Sequence, residues 1–330
     1  LASAKGRLRA EVATACLVCA DGLLADGQPA AAAALYAQLS GVAETEPVRM
    51  AAWRGSVRSN PGQGVGAACA ALTSGDPALE SMALQLVPEV PGTVATEQLA
   101  QCVAKTSGPV QALLLGALAA RGDVAARGAI QGALTSEDPA VRLAAVKALG
   151  TLGDETSVMV LIDRTTDSAA KTAERQAARN SLVQLRGSRI NEVLTGLLSQ
   201  DDASRQAELI RILAARNAIG SLAALEKAAE AADPTVRKEA WKALGGLART
   251  SDAAVLLELL VRARDEERDE AEQAVGAVLS KSARPDPRAV LQKLETVEAP
   301  AARGSLIRLV SAIGDDSALP ALRQAIQSGD

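Results

Sequence analysis

The 330 residues include no histidine and no phenylalanine, and aromatic side chains make up only 1%. Without histidine, the commonest general base and the commonest neutral metal ligand are both missing. Ser-His-Asp and Cys-His arrangements are therefore excluded within this chain, as are hydrolytic zinc sites of the usual His-containing kind. Hydrophobic residues still amount to 48%, so the core must be built from Ala, Leu and Val. Such a core suits closely spaced helices better than a β-sandwich, which favours β-branched and aromatic side chains. It also predicts little room for a bulky ligand pocket. An excess of basic charge is missing too. The formal net charge is −4, whereas nucleic-acid binding relies on a basic face that neutralises phosphates. No nucleic acid is expected. No run of about 18 uncharged apolar residues occurs, so no segment is expected to span a bilayer. Cys16, Cys19, Cys69 and Cys102 all lie in the N-terminal third. They form no dense disulfide framework, which leaves the redox compartment open. The first residue is Leu1, and the true start of the protein, with any leader peptide, is expected to be missing.

What is present repeats. Asp138 can cap a helix whose first position is Pro139, where a missing N–H does no harm. Val141, Ala144, Ala145, Ala148, Leu149 and Leu152 then fall on one helical face. Leu143, Val146 and Gly150 form a second stripe, so the helix should be buried on two sides. Gly153 and Asp154 end it and lead into a second apolar helix through Val158, Leu161 and Ile162. Similar starts occur at Pro47, Pro77, Pro109 and Pro139, spaced 30, 32 and 30 residues apart, and again at Pro234 and Pro300. The longer gaps accommodate further starts near Ala169, Asp201-Asp202 and Asp265. A period near 32 residues with two helices per unit defines a repeat architecture of about ten helix pairs. Residues 1–44 read as a divergent N-terminal cap, with a helix over 5–25 and another ending near Leu39. Its first helix is expected to bury Leu8, Val12, Ala15, Cys16, Cys19 and Leu23. Residues 45–330 read as one continuous array.

Several residues look functional and also have a plainer role. Trp53 and Trp241 stand five residues after Val48 and Val236, as Val146 stands after Val141, so they share one repeat position. Packing between units is the first reading and a binding surface the second. Arg49, Arg142 and Arg237 directly follow those valines, either as a ladder to turn carboxylates or as a ligand-binding row. Cys16-Leu17-Val18-Cys19 is a C-x-x-C, but it lies inside an apolar helix and reads as buried small hydrophobes. Ser168-Ala169-Ala170-Lys171 fits S-x-x-K without the partner motifs that chemistry needs, so Ser168 reads as a helix cap. Gly62-Gln63-Gly64-Val65-Gly66 lacks the phosphate-loop spacing and reads as a turn, as do Pro88 to Pro91 and Arg284 to Pro287. The charge run from Arg262 to Glu272 reads as a helix start with a solvated face, or else as an electrostatic docking patch.

The string Asp-Pro-Ala-Val-Arg-x-x-Ala-x-x-Ala-Leu-Gly-x-Leu-Gly-Asp at 138–154 resembles the HEAT repeat, in the short form named after phycobilisome lyases, within the armadillo-like superfamily. Asp233 to Gly245 follows the same pattern, and Ala312 to Leu322 resembles the end of one helix and the start of the next. The resemblance implies an all-α fold, an α-α superhelix, with an inner row of second helices that offers a surface to proteins or other large ligands. The run is also similar to HEAT regions of large bacterial extracytoplasmic proteins that carry a sugar-hydrolase-like domain. Among enzymes of this type, deoxyhypusine hydroxylase needs His-Glu pairs for iron, and this chain has no histidine. HEAT-like DNA glycosylases use a basic, aromatic-lined cleft, and bilin lyases have no lyase-specific residue matched here. The expected function is a noncatalytic scaffold that binds a protein partner or a domain of the same polypeptide. An accessory module of a carbohydrate-active enzyme is the alternative. No residue is assigned a catalytic, cofactor-binding or metal-binding role.

Overall fold

In the computed structural model, the described residues are 6–40, 44–199, 202–283 and 285–315, with 319, 320 and 323. Among them are nineteen α-helices, five short 3₁₀ turns and no strand. In chain order the helices are α1 (Gly6–Ala25), α2 (Pro29–Leu39), α3 (Glu46–Ser59), α4 (Pro61–Leu72), α5 (Pro77–Leu86), α6 (Thr93–Cys102) and α7 (Gly108–Arg121). Then follow α8 (Arg127–Ala133), α9 (Pro139–Leu152), α10 (Ser157–Thr166), α11 (Thr172–Gln184), α12 (Ile190–Leu197) and α13 (Ala203–Ala215). The last six are α14 (Leu222–Ala228), α15 (Pro234–Leu247), α16 (Ala253–Arg262), α17 (Arg268–Leu279), α18 (Arg288–Thr296) and α19 (Pro300–Ile313). The fold class is all-α, of the helical-repeat type. None of these helices is long and apolar enough to cross a membrane.

The chain forms two compact units. One comprises residues 1–153 with 171–181, the other 154–170 with 182–330. In the first, α7 packs on α9; in the second, α13 packs on α15 and α15 on α17. These are the first helices of successive pairs, and their starts follow the expected chemistry. Asp76, Asp138 and Asp233 each accept a hydrogen bond from the N–H two residues on, at 2.8–2.9 Å. Each precedes a proline at the first helical position, so one orphan donor is capped and another is absent. Asp202 caps α13 through the Arg205 N–H; its neighbour Asp201 lies outside the described residues, as do Arg284 and parts of the 312–322 segment.

Successive first helices approach closely at the glycine of the Ala-Leu-Gly signature. A Cβ on Gly150 would stand 2.9 Å from the Ser181 Cα, and one on Gly245 would stand 2.9 Å from the Ala274 Cα. Ser181 uses this proximity to donate to the Val146 carbonyl at 2.8 Å. The second apolar stripe of the unit is explained by this stacking. Val146 is 1% exposed and Gly150 is buried, on the side that meets the next first helix.

Three expectations are corrected. Residues 62–66 are not a turn but the start of α4, capped by Asn60 through the Gln63 N–H. The glycines serve packing: a Cβ on Gly64 would fall 2.8 Å from the Val57 Cα of α3. The buried side of α1 is only partly the expected one. Ala13 and Ala20 are fully buried against Ala32, Tyr36 and Leu39, and the expected Cys16 and Leu23 pack there with Leu17 and Leu24, whereas Leu8 is 60% exposed and Ala15 and Cys19 are exposed. Small side chains at 13 and 20 let α2 and α3 come near, and this decides the face in a helix apolar nearly all round. The lone tyrosine, Tyr36, is buried there and donates to Asp21 Oδ1 at 2.6 Å. Burial, then Asp21, push its phenol up to about 12. Finally, Ser168 is not a cap. Asp167 closes that turn by accepting from the Ala169 N–H, and α11 begins at Thr172.

Cys69 of α4 and Cys102 of α6 form a disulfide, with Cα atoms 5.9 Å apart. Their separation of 33 residues is one repeat, so the bond links the second helices of adjacent pairs. Closing a loop of that length restrains the unfolded chain by about 3–4 kcal/mol.

The glycine contacts generate a paired prediction. Gly245→Ala should destabilise the protein by about 1–3 kcal/mol through overpacking. Gly246→Ala, whose Cβ would meet nothing within 4 Å, should stabilise it by roughly 0.5–1 kcal/mol by raising helix propensity. Urea titrations of the two variants measure both signs.

Candidate functional site

The conspicuous polar residues are mostly spent on joining repeats. Arg237 is 1% exposed. Its guanidinium donates backwards to the Ala231 and Ala232 carbonyls at 3.1 and 2.7 Å, and forwards to Glu267 and Glu266 at 2.8 and 2.6 Å. Burial disfavours its charge, but Glu267 and Glu266 outweigh that and raise its pKa. Arg142 repeats the pattern with the Ser136 and Glu137 carbonyls and Glu174. Arg49 donates to the Glu44 carbonyl, and Arg303 to those of Leu294 and Val297. The arginine row is thus a set of joints.

The run from Arg262 to Glu272 is largely consumed in the same way. Glu267 is 1% exposed and holds Arg237, Glu270 lies 3.7 Å from Lys238, and Glu272 binds Arg308 and Ser305. That corrects the solvated-face reading for these acids. Asp265 and Glu266 remain on the surface.

A second cation set emerges only from the structure. Arg121 donates to the Val87, Val90 and Gly92 carbonyls, Arg216 to those of Leu182, Val183 and Leu185, and Lys281 to those of Gly245, Gly246 and Ala248. Each caps the carbonyl end of the first helix, or its 3₁₀ extension, one repeat back. Burial lowers the pKa of Arg121 and Arg216.

Trp53 and Trp241 are 8% and 1% exposed, so both pack in the interior. Cys16 and Cys19 are free thiols, and Cys19 is exposed rather than buried. Among the described residues, no group of three or more Cys, Asp or Glu side chains is placed to hold a metal ion.

One cavity among the described residues, of about 610 Å³, lies in the second unit between α12, α14 and the starts of α13 and α15. Leu198, Ala224, Ala228, Ala231 and Val236 give it an apolar floor. Thr195, Ser199, Gln206, Lys227 and Glu230 provide polar groups around it. This corrects the expectation of little pocket space, and the cause is local. Leu194, Leu225 and Leu256 are fully buried and 31 residues apart, which sets the register of α12, α14 and α16. In that register Ala224 stands where the neighbours have Val193 and Val255, and Ala228 where they have Leu197 and Leu259. One second helix therefore lacks the volume its neighbours carry.

The polar groups are unequally committed. The Thr195 hydroxyl donates to the Asn191 carbonyl and lies 2.6 Å from that of Ser221. The Gln206 amide donates to the Leu198 carbonyl at 2.9 Å, and Glu230 pairs with Arg262 at 3.3 Å. Lys227 is exposed, with no side-chain partner among the described residues.

Residues 96–182 and 190–276, more than half of the chain, match the family described as HEAT repeats. The chain belongs to the HEAT-repeat family. Solved structures similar to this HEAT chain include human deoxyhypusine hydroxylase in complex with glycerol. Its identity is 17%, with 76% of this chain and 96% of that one covered and a TM-score of 0.34. Another is the complex of CpcE and CpcF of phycocyanin lyase from Nostoc sp. PCC7120, at 18% identity, with 76% and 94% covered and a TM-score of 0.35. No curated protein matches the chain. The cavity lies within the second HEAT match.

Beside Lys227 on α14, Glu226 has its pKa raised by burial, and then by the charge of Asp252. A carboxyl raised in the folded state contributes stability below its ordinary value of 4.5 and loses it as pH rises through the folded value. Glu226→Gln should therefore melt higher than the wild type at pH 8, and the gap should close at pH 4. Thermal melts at the two pH values check the sign.

Proposed function

We propose that this HEAT-repeat protein is a noncatalytic scaffold that binds a protein partner, or a domain of its own polypeptide, through the second helices around α12 and α14. The observation that carries this reading is the cavity itself, formed where α14 has Ala224 and Ala228 in place of its neighbours' Val and Leu. Repeat scaffolds share a common frame and differ in the faces they present to ligands. The arginine and glutamate groups most able to do chemistry are already engaged within the joints, and histidine is absent. A net charge of −4 also supports a protein ligand over a nucleic acid. The Cys69–Cys102 bond supports work in an oxidising, extracytoplasmic compartment.

The test is a selection of random peptides displayed on phage against the whole chain, with the Ala224→Val/Ala228→Leu double variant for comparison. The variant restores the side chains found in neighbouring repeats, and it should fold with an unchanged or higher midpoint. Enriched peptides should bind the wild type and lose most of their affinity for the variant. Equal binding to both, or measurable turnover of chromogenic ester or glycoside substrates by the chain, would contradict the proposal.

A further inference from the structure

We infer that the α12–α14 cavity receives a peptide that presents a branched aliphatic side chain next to an acidic residue. This rests on the cavity being the binding site and adds the chemistry of what enters it.

The missing volume defines the first element. Ala224 and Ala228 share a face of α14 with Lys227, because positions i, i+3 and i+4 lie side by side on a helix. In α12 the half-buried Val193 and Leu197 stand at those two places, and in α16 Leu259 is buried at the second while Val255 at the first is 46% exposed. A leucine, isoleucine or valine side chain from a ligand supplies the kind of atoms that the array itself uses there, against Leu198 and Val236. An aromatic ring meets a floor with no aromatic partner, since every aromatic residue of the chain lies elsewhere.

Charge defines the second element. Glu230 is neutralised by Arg262, so its carboxylate does not set the sign at the mouth of the cavity. The carbonyls of Leu225, Lys227 and Ala228 already accept from the N–H groups of Ala229, Glu230 and Ala231, so the end of α14 has few acceptors to offer a cationic ligand. The exposed Lys227 ammonium has no side-chain partner among the described residues. A carboxylate beside the aliphatic group matches it, whereas a second cation is repelled.

The experiment compares peptides selected on the wild-type chain with those selected on Lys227→Glu, reading affinities of synthesised fluorescent peptides by polarisation. The wild type should enrich an aliphatic residue adjacent to Asp or Glu. Lys227→Glu should weaken those peptides about tenfold and enrich Lys or Arg at the same place. Ala228→Leu should weaken both families. Peptides that lose affinity on Ala228→Leu yet show no acidic residue, or keep their charge preference in Lys227→Glu, would overturn this inference while leaving the site itself standing. Peptides indifferent to Ala228→Leu would overturn the site as well. A melt of each variant, expected within a few degrees of the wild type, separates lost binding from lost folding.

Discussion

The structure depends on one constraint: a helix end cannot be left buried with its backbone groups unsatisfied, and in this chain the partner usually comes from the adjacent repeat. Arg237 shows it most fully. Its planar guanidinium spans the turn behind it and two carboxylates ahead, and both it and Glu267 are 1% exposed. Arg142 and Glu174 repeat the link, and Arg121, Arg216 and Lys281 close carbonyl ends one repeat back. A pair of helices made of Ala, Leu and Val has little to fix its register against the next pair, because small apolar faces slide. The glycine contacts at Gly150 and Gly245 set the distance, and the guanidinium bridges set the alignment.

This division of labour has a consequence for function. Arg142, Arg237, Glu174 and Glu267, which look reactive in isolation, are held in the joints between repeats and are largely buried. In the proposed function, specificity is carried by positions on which neither distance nor alignment depends. Ala224, Lys227 and Ala228 take no part in the glycine contacts or the arginine bridges. They differ from α12 and α16 in volume and charge while Leu225 beside them stays buried with its counterparts. A cavity placed there leaves the adjoining joints intact, which is why filling it is expected to spare stability.

Much of the frame was legible in the sequence, because its signals are local. An Asp-Pro at a helix start acts through its own backbone, so the starts at Pro77, Pro139 and Pro234 stand where the spacing puts them. The arginines after the valines were legible as a ladder because their register repeats. Arg121, Arg216 and Lys281 share a register as well, but they sit at helix ends of unlike sequence, and their targets are carbonyls that every residue has. The face of α1 was partly misread because a helix apolar nearly all round offers no contrast, and its neighbours choose the side. Gly62 to Gly66 looked like a turn because glycine density signals both flexibility and close packing, and only the proximity of Val57 decides between them. The cavity was the least visible feature. Its signal is two alanines in a chain full of them, recognisable only once α12, α14 and α16 are set in register.

The central claim is that the buried bridge between repeats, more than surface charge, holds the array in register. The most direct measurement is a double-mutant cycle at Arg237 and Glu267 by urea denaturation. Arg237→Met alone should cost about 3–5 kcal/mol, because it leaves Glu267 buried without its partner, and Arg237→Met/Glu267→Leu should recover most of that loss. A single-variant loss below about 1 kcal/mol, as expected of an exposed pair, or a double variant as unstable as the sum of the two singles, would contradict the account.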